Sequence, residues 1–208
     1  MRTFVAATAA VMLLSLTGCG GDDGPQQADD PAGSSQAPPG AVPAAPGAVR
    51  SQLVTVMDTG TGPELCLGPV AESYPPQCGG PAVTGWDWEE QARYAERQGD
   101  TRWGSFAVTG TWDGETFAVT EAVPAALYDP RPGPPVELPT PSRDHTRAEL
   151  EAIANDLTDT LPGVQGAYAD EAGHVLVDVT YDDGSIQDHV DATYGGGVVV
   201  VTSALTDA

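Results

Sequence analysis

Apolar and polar positions divide the chain into stretches of different period. Phe4 to Leu16 is an unbroken apolar run preceded by Arg2. It is too short to span a ~30 Å hydrocarbon core as a permanent helix, but it suits the h-region of a secretory leader. From residue 19 to about 49 there is no aromatic residue and there are few large apolar ones. Such a tract buries too little surface to offset the entropy of ordering it, so it predicts a disordered tether. The pattern then alternates. "SQLVTVMD" (51–58) reads as a strand, and "WGSFAVTGTWDGETFAVTEA" (103–122) as a hairpin about Asp113-Gly114. A two-residue turn there pairs Thr109 with Ala118 and Val108 with Val119. It gathers Phe106, Val108, Phe117 and Val119 on an inner face, with Phe117 over Gly110. Ser105, Ala107, Thr109, Thr116 and Thr120 face outward. Asp87 and Glu90 form a D-x-x-E cap for a short helix across "WEEQARYAER" (88–97).

After a Pro-rich stretch, "DPRPGPPVELPTPS" (129–142), the period becomes helical. Thr146 and Glu149 make a capping box, and Leu150, Ile153, Leu157 and Leu161 recur along one face until Pro162-Gly163 stops the helix. Two strands follow around a turn at Asp170–Gly173, with Val175, Val177, Val179 and Tyr181 on one face. Asp182-Asp183-Gly184 ends the second strand. "SIQDHVDATY" (185–194) is the next helix, with Ile186, Val190 and Tyr194 aligned, and three glycines lead into "VVVVTSAL" (198–205), a buried strand. The expected fold class is α+β: a small, mainly-β, disulfide-stapled domain at 50–128, in the form of a partly open barrel, followed by a small αββαβ domain at 143–208. Residues 1–18 are then a signal peptide, 19–49 a tether and 129–142 a Pro-rich linker.

The end of the apolar run is Leu16-Thr17-Gly18-Cys19, which resembles the bacterial lipobox: an aliphatic residue, two small ones, then cysteine. The resemblance implies cleavage after residue 18, a diacylglyceryl group on the Cys19 thiol and a protein held at the outer face of the cytoplasmic membrane. Palmitate-sized chains at ~0.8 kcal/mol per buried CH₂ make a two-chain anchor effectively permanent. Export also bears on the other two cysteines. Cys66 and Cys78 bracket "CLGPVAESYPPQC", and an oxidising exterior favours pairing them, which removes ~3 kcal/mol of unfolded-state entropy. A zinc site has less support, because there is no CxxC and two thiols do not complete a tetrahedral shell.

Composition narrows the partners. The chain carries 30 acidic residues against 8 basic ones, for a formal charge of −22. All the basic residues are Arg, so Schiff-base lysine chemistry is unavailable. Such a field repels nucleic acid and anionic headgroups, so no nucleic-acid partner is expected. The Ala/Gly/Pro/Arg/Asp bias is similar to that of high-GC actinobacteria.

Motifs for catalysis are scarce. G-x-S-x-G, H-E-x-x-H, P-loop and G-x-G-x-x-G patterns do not occur. "YDDGSIQD" lacks the D-x-D-x-D-G spacing of a calcium loop, and no cofactor signature is present. His145 stands at a helix entrance, His174 at the start of a strand, and His189 within a helix, off the face of Asp188 and Asp191. Trp86, Trp88, Trp103 and Trp112 form a candidate ligand platform, since exposed aromatic rings stack on sugars; the same rings also serve as core packing.

Two further resemblances exist. "LCLG…PPQCGGP…GWDW…WG…VTGTWDGETF" resembles a recurring segment of actinobacterial secreted proteins and implies no activity. Gly166, Tyr168, Asp170, Gly173, Val175 and Val177 are similar to the G-x-Y/W-x-D…G-x-V-x-V hairpin of pro-regions of secreted serine proteases. The combined expectation is a non-enzymatic, membrane-anchored binding module for an envelope protein or glycan. A protease accessory (inhibitor or foldase) and a glycan-directed enzyme are the alternatives.

Overall fold

The computed structural model describes residues 39–130 and 137–208. The expected signal peptide, Cys19 and the first part of the expected tether lie outside the described residues, as does the middle of the Pro-rich stretch. The fold is mixed α+β, with more strand than helix.

Six strands come first and form one seven-stranded system with an added C-terminal strand. They are β1 (Ala48–Asp58), β2 (Pro63–Cys66), β3 (Ala82–Thr84), β4 (Glu96–Gln98), β5 (Thr101–Trp112) and β6 (Thr116–Pro124), and the late strand β10 (Thr206–Asp207) joins their edge. β1, β2, β3, β6 and β5 lie side by side in that order, and β1 pairs again with β5, so five strands close into a barrel. All these pairings are antiparallel except β3 with β6. The long β1 serves both β2 and β5 by shifting register between Ser51 and Val54. Closure leaves fewer open edges than a flat sheet would. Val49, Val56, Leu65, Phe106 and Phe117 fill the interior, each fully buried.

The hairpin at 113–116 differs from the expected one. Trp112 pairs with Phe117, Thr111 with Ala118 and Gly110 with Val119, and a bulge then sets Thr109 opposite Glu121. The loop has four residues because the Asp113 carboxylate accepts from the backbone N–H groups of Glu115 and Thr116, at 2.9 and 2.7 Å. That Asx arrangement outcompetes a two-residue turn. The inner face survives the shift. Phe117 covers Gly110 so closely that a Cβ there would stand 2.7 Å from the ring.

The helix expected across 88–97 is absent. Residues 88–94 form successive turns, with N–H groups of Ala92 and Tyr94 bonded three residues back, and 96–98 is strand. Asp87 does accept from the N–H of Glu89 at 2.7 Å, but a single turn does not repay helix nucleation. Trp88, tethered to Asp58 beneath it, holds the segment flat against the barrel.

The second group of elements is α1 (Arg147–Thr160), β7 (Val164–Ala169), β8 (Val175–Val179), α2 (Ser185–Tyr194) and β9 (Val199–Ser203). The capping box at Thr146 and Glu149 is complete in both directions. β7 and β8 pair antiparallel, while β8 and β9 run parallel. Leu150, Leu157, Ile186 and Val190 pack on Val175, Val177, Val179 and Val199 from one side of this sheet. The Gln187 side chain satisfies the outer edge of β9, donating to the Val199 carbonyl at 3.0 Å and accepting from the Val201 N–H at 2.9 Å. An otherwise open edge is thereby closed.

The two groups are joined. Leu205 and Tyr181 leave the second sheet and enter the barrel core beside Val49 and Trp112. Beyond them β10 pairs with the start of β1. The supposed tether also attaches earlier than composition indicates. The Pro43 carbonyl accepts from the Trp112 indole at 2.9 Å, and the Ala45 N–H donates to the Trp112 carbonyl at 3.0 Å. Val42 lies against both the hairpin turn at Gly114 and Gly163 of the second group. Residues 42–49 therefore belong to the folded body, because backbone partners and a packing site supplied from far along the chain replace the apolar content they lack.

Candidate functional site

Cys66 is bonded to Cys78, as expected, with Cα atoms 5.7 Å apart. The bond fastens the loop 67–77 over β2 and β1, where Cys66, Met57 and Trp103 make a small buried cluster. Inside the loop Ala71 bridges Gln77, and Ser73 Oγ donates to the Pro75 carbonyl at 2.7 Å. This order holds Tyr74 edge-on to Trp103, centroids 5.3 Å apart, while leaving Tyr74 66% exposed.

The four tryptophans do not form a shared exposed platform. Trp88, Trp103 and Trp112 are 8, 6 and 4% exposed. Trp86 is half-buried and packs edge-to-face on Trp88 and Phe106. Trp86, Trp88 and Trp112 pack with the barrel core and Trp103 packs with Met57 and Cys66 under the stapled loop, since burying an aromatic ring contributes more than leaving it free. Three of them nevertheless border concave surfaces. The largest of these is a groove of about 540 Å³ lined by Trp103, Tyr94, Arg93, Glu96, Thr55, Ser105 and Pro76 of the stapled loop. Tyr94 and Arg93 are exposed there. Neither stood out in the sequence, because the groove is assembled from β1, β4, β5, the end of β6 and the loops beside them, and no local pattern marks that meeting.

A second concavity of about 340 Å³ lies where the stapled loop meets the open face of the second sheet, between Leu67–Pro69 and Tyr168, Asp178 and Thr202. Tyr168 is 54% exposed. Smaller hollows adjoin Trp86, with Asp87, Glu90 and Glu121 around it, and Trp88, with Arg97 and Arg102. Among the described residues, no three of His, Cys, Asp and Glu come together in a way that could hold a metal ion.

One buried charge organises this end of the barrel. The Asp58 carboxylate accepts from the N–H groups of Gly60 and Gly62, the indole of Trp88 and the guanidinium of Arg102, at 2.8, 3.1, 3.1 and 2.8 Å. Arg102 also lies over the Trp88 ring, 5.3 Å from its centroid. Burial opposes the ionised carboxyl, but the two glycine N–H groups and Arg102 outweigh that and hold Asp58 below its ordinary value. Both carboxylate oxygens are occupied, so Asp58 ties the β1–β2 turn, Trp88 and Arg102 together.

The histidines fall in three environments. His145 lies 4.0 Å from Glu149 at the entrance to α1, and His189 is half-buried on α2. His174 is 5% exposed and bonded through both ring nitrogens, which its position at a strand start gave no reason to expect. Comparison with protein-family models, with curated proteins and with solved structures finds no match.

Proposed function

We propose that the chain is an exported lipoprotein, anchored by acyl groups on Cys19, whose folded body serves as a non-enzymatic binding module in the cell envelope. The leader pattern and the disulfide both support an oxidising, extracytoplasmic setting. The body consists of a stapled barrel and an αββαβ unit. Its strand order, with β3 parallel to β6, is like that of five-stranded OB-type Greek-key barrels; that likeness is one of connectivity and carries no activity. Nucleic acid, a common ligand of such barrels, is disfavoured by the charge of −22.

The observation that carries binding is the groove at Trp103. It combines aromatic walls, a guanidinium, a carboxylate and two hydroxyls in about 540 Å³, the size and mixture of an orienting ligand site. An envelope glycan or the surface of an envelope protein fits this chemistry. The test is retention of solubilised envelope material on the immobilised mature chain bearing Cys19→Ser. We expect Arg93→Ala and Tyr94→Ala each to cut retention at least tenfold while the unfolding midpoint stays put. Equal retention by the variants, or no retention by the parent, would contradict the assignment.

A further inference from the structure

The three glycines 195–197 and the second half of the Pro-rich stretch have no role in the barrel or the groove, yet they meet. Residues 139–143 run along the end of the second sheet. The Ser142 N–H donates to the Gly196 carbonyl at 2.9 Å. Thr140 passes so near Gly197 that a Cβ there would stand 2.8 Å from the Thr140 carbonyl oxygen, and a Cβ on Gly195 would stand 2.8 Å from the Ser142 hydroxyl and 3.2 Å from the Arg143 side chain. Gly195 and Gly197 also have φ of 104° and 76°, which favours glycine. Gly197 leaves room for the linker backbone, and Gly195 leaves room for the side chains of Ser142 and Arg143.

His174 contacts the same segment. Its Nδ1 lies 2.9 Å from Asp170 Oδ2 and its Nε2 lies 2.9 Å from the Pro139 carbonyl oxygen. An ionised carboxylate and a peptide carbonyl both only accept, so both ring nitrogens must carry protons for both bonds to exist. The proton facing the carboxylate is held by charge. Deprotonation therefore falls on Nε2, setting its lone pair against that of the Pro139 carbonyl. We propose that His174 is a proton-operated latch that docks the linker segment 139–143 onto the glycine run and releases it as the imidazolium loses its Nε2 proton.

The surroundings fit a single-proton device. Asp170 is the charged group in contact, anchored in turn by its Oδ1, which accepts from the N–H groups of His174 and Ala172. Glu171 on the same turn is exposed. The facing linker is uncharged from Leu138 to Ser142, with Glu137 and Arg143 at its ends. On the glycine side, Asp191 is engaged by the Gly197 N–H and Gln187. Burial alone would lower the His174 value, but the Pro139 carbonyl and the Asp170 carboxylate raise it above 6.5. The Asp170 carboxyl is held below 3.8, where the N–H and ring of His174 outweigh its burial. A raised histidine stabilises the docked state fully below pH 6.5 and loses that contribution as pH climbs through its folded value; a depressed carboxyl withdraws its share as pH falls below 3.8. Docking is thus strongest between those limits.

The experiment is nitrogen-detected NMR of the histidine rings in the mature Cys19→Ser chain, with His145→Gln and His189→Gln variants to assign signals. Hydrogen exchange of the Ser142 N–H is followed alongside, corrected for the intrinsic pH dependence of exchange. We expect both His174 nitrogens protonated at pH 6, a midpoint above 6.5, and Ser142 protection falling at least tenfold with that same midpoint. Asp170→Asn should lower both midpoints together, and His174→Gln should abolish the step in Ser142 protection. Ser142 protection that stays flat while His174 titrates overturns the latch, as does a singly protonated His174 ring at pH 6. Both readings come from the parent protein, so neither depends on a variant folding.

Discussion

At the scale of single residues, Asp58 shows how one side chain fixes a neighbourhood. Four donors converge on it, two from the β1–β2 turn, one from Trp88 and one from Arg102. The same carboxylate explains why residues 88–94 lie as turns: Trp88 is held where an amphipathic helix would have to rotate it. Asp58→Asn puts an amide N–H₂ among groups that only donate. We expect it to cost about 2–3 kcal/mol near neutral pH, measured by urea unfolding followed through tryptophan fluorescence. The native carboxyl sits below its ordinary 3.8. Its contribution is present above that value and fades as pH falls through the folded one. The gap between parent and variant should therefore narrow steeply below pH 4.

At the scale of elements, legibility followed locality. α1 was readable because cap, apolar stripe and stop all lie within one window. β7, β8 and α2 were readable because their turn residues and alternation are contiguous. The hairpin was readable in existence but not in register, since the Asp113 carboxylate chose the loop length and a bulge at Thr109–Gly110 altered the pairing beyond it. The expected helix at 88–97 failed for a different reason: its local cap was real, but partners on β1 and β5 decided the backbone. Residues 42–49 looked like tether because their ordering comes from Trp112 and Gly163, far away in sequence. The groove was invisible for that reason too, and the run of glycines at 195–197 made sense only once the linker was seen lying on it.

At the scale of the whole molecule, the body behaves as a barrel plugged by its own C-terminus. Leu205 and Tyr181 are contributed by the second group and buried in the first, and Tyr181 Oη donates to Asp207 at 3.3 Å where β10 meets β1. Leu205→Ala should cost about 2–5 kcal/mol through lost transfer energy and the cavity left behind. The four tryptophans report the barrel and the two α-helices report the second group, so fluorescence and far-ultraviolet dichroism should shift to the same lower midpoint. A dichroism shift with unmoved fluorescence would mean that the plug is not structural. The most direct measurement is the intact mass of the mature protein purified from membranes. Residues 1–18 should be missing and the new terminal Cys19 should carry a diacylglyceryl group. A full-length chain, or a processed chain without acyl mass, would contradict the anchor and the export it implies.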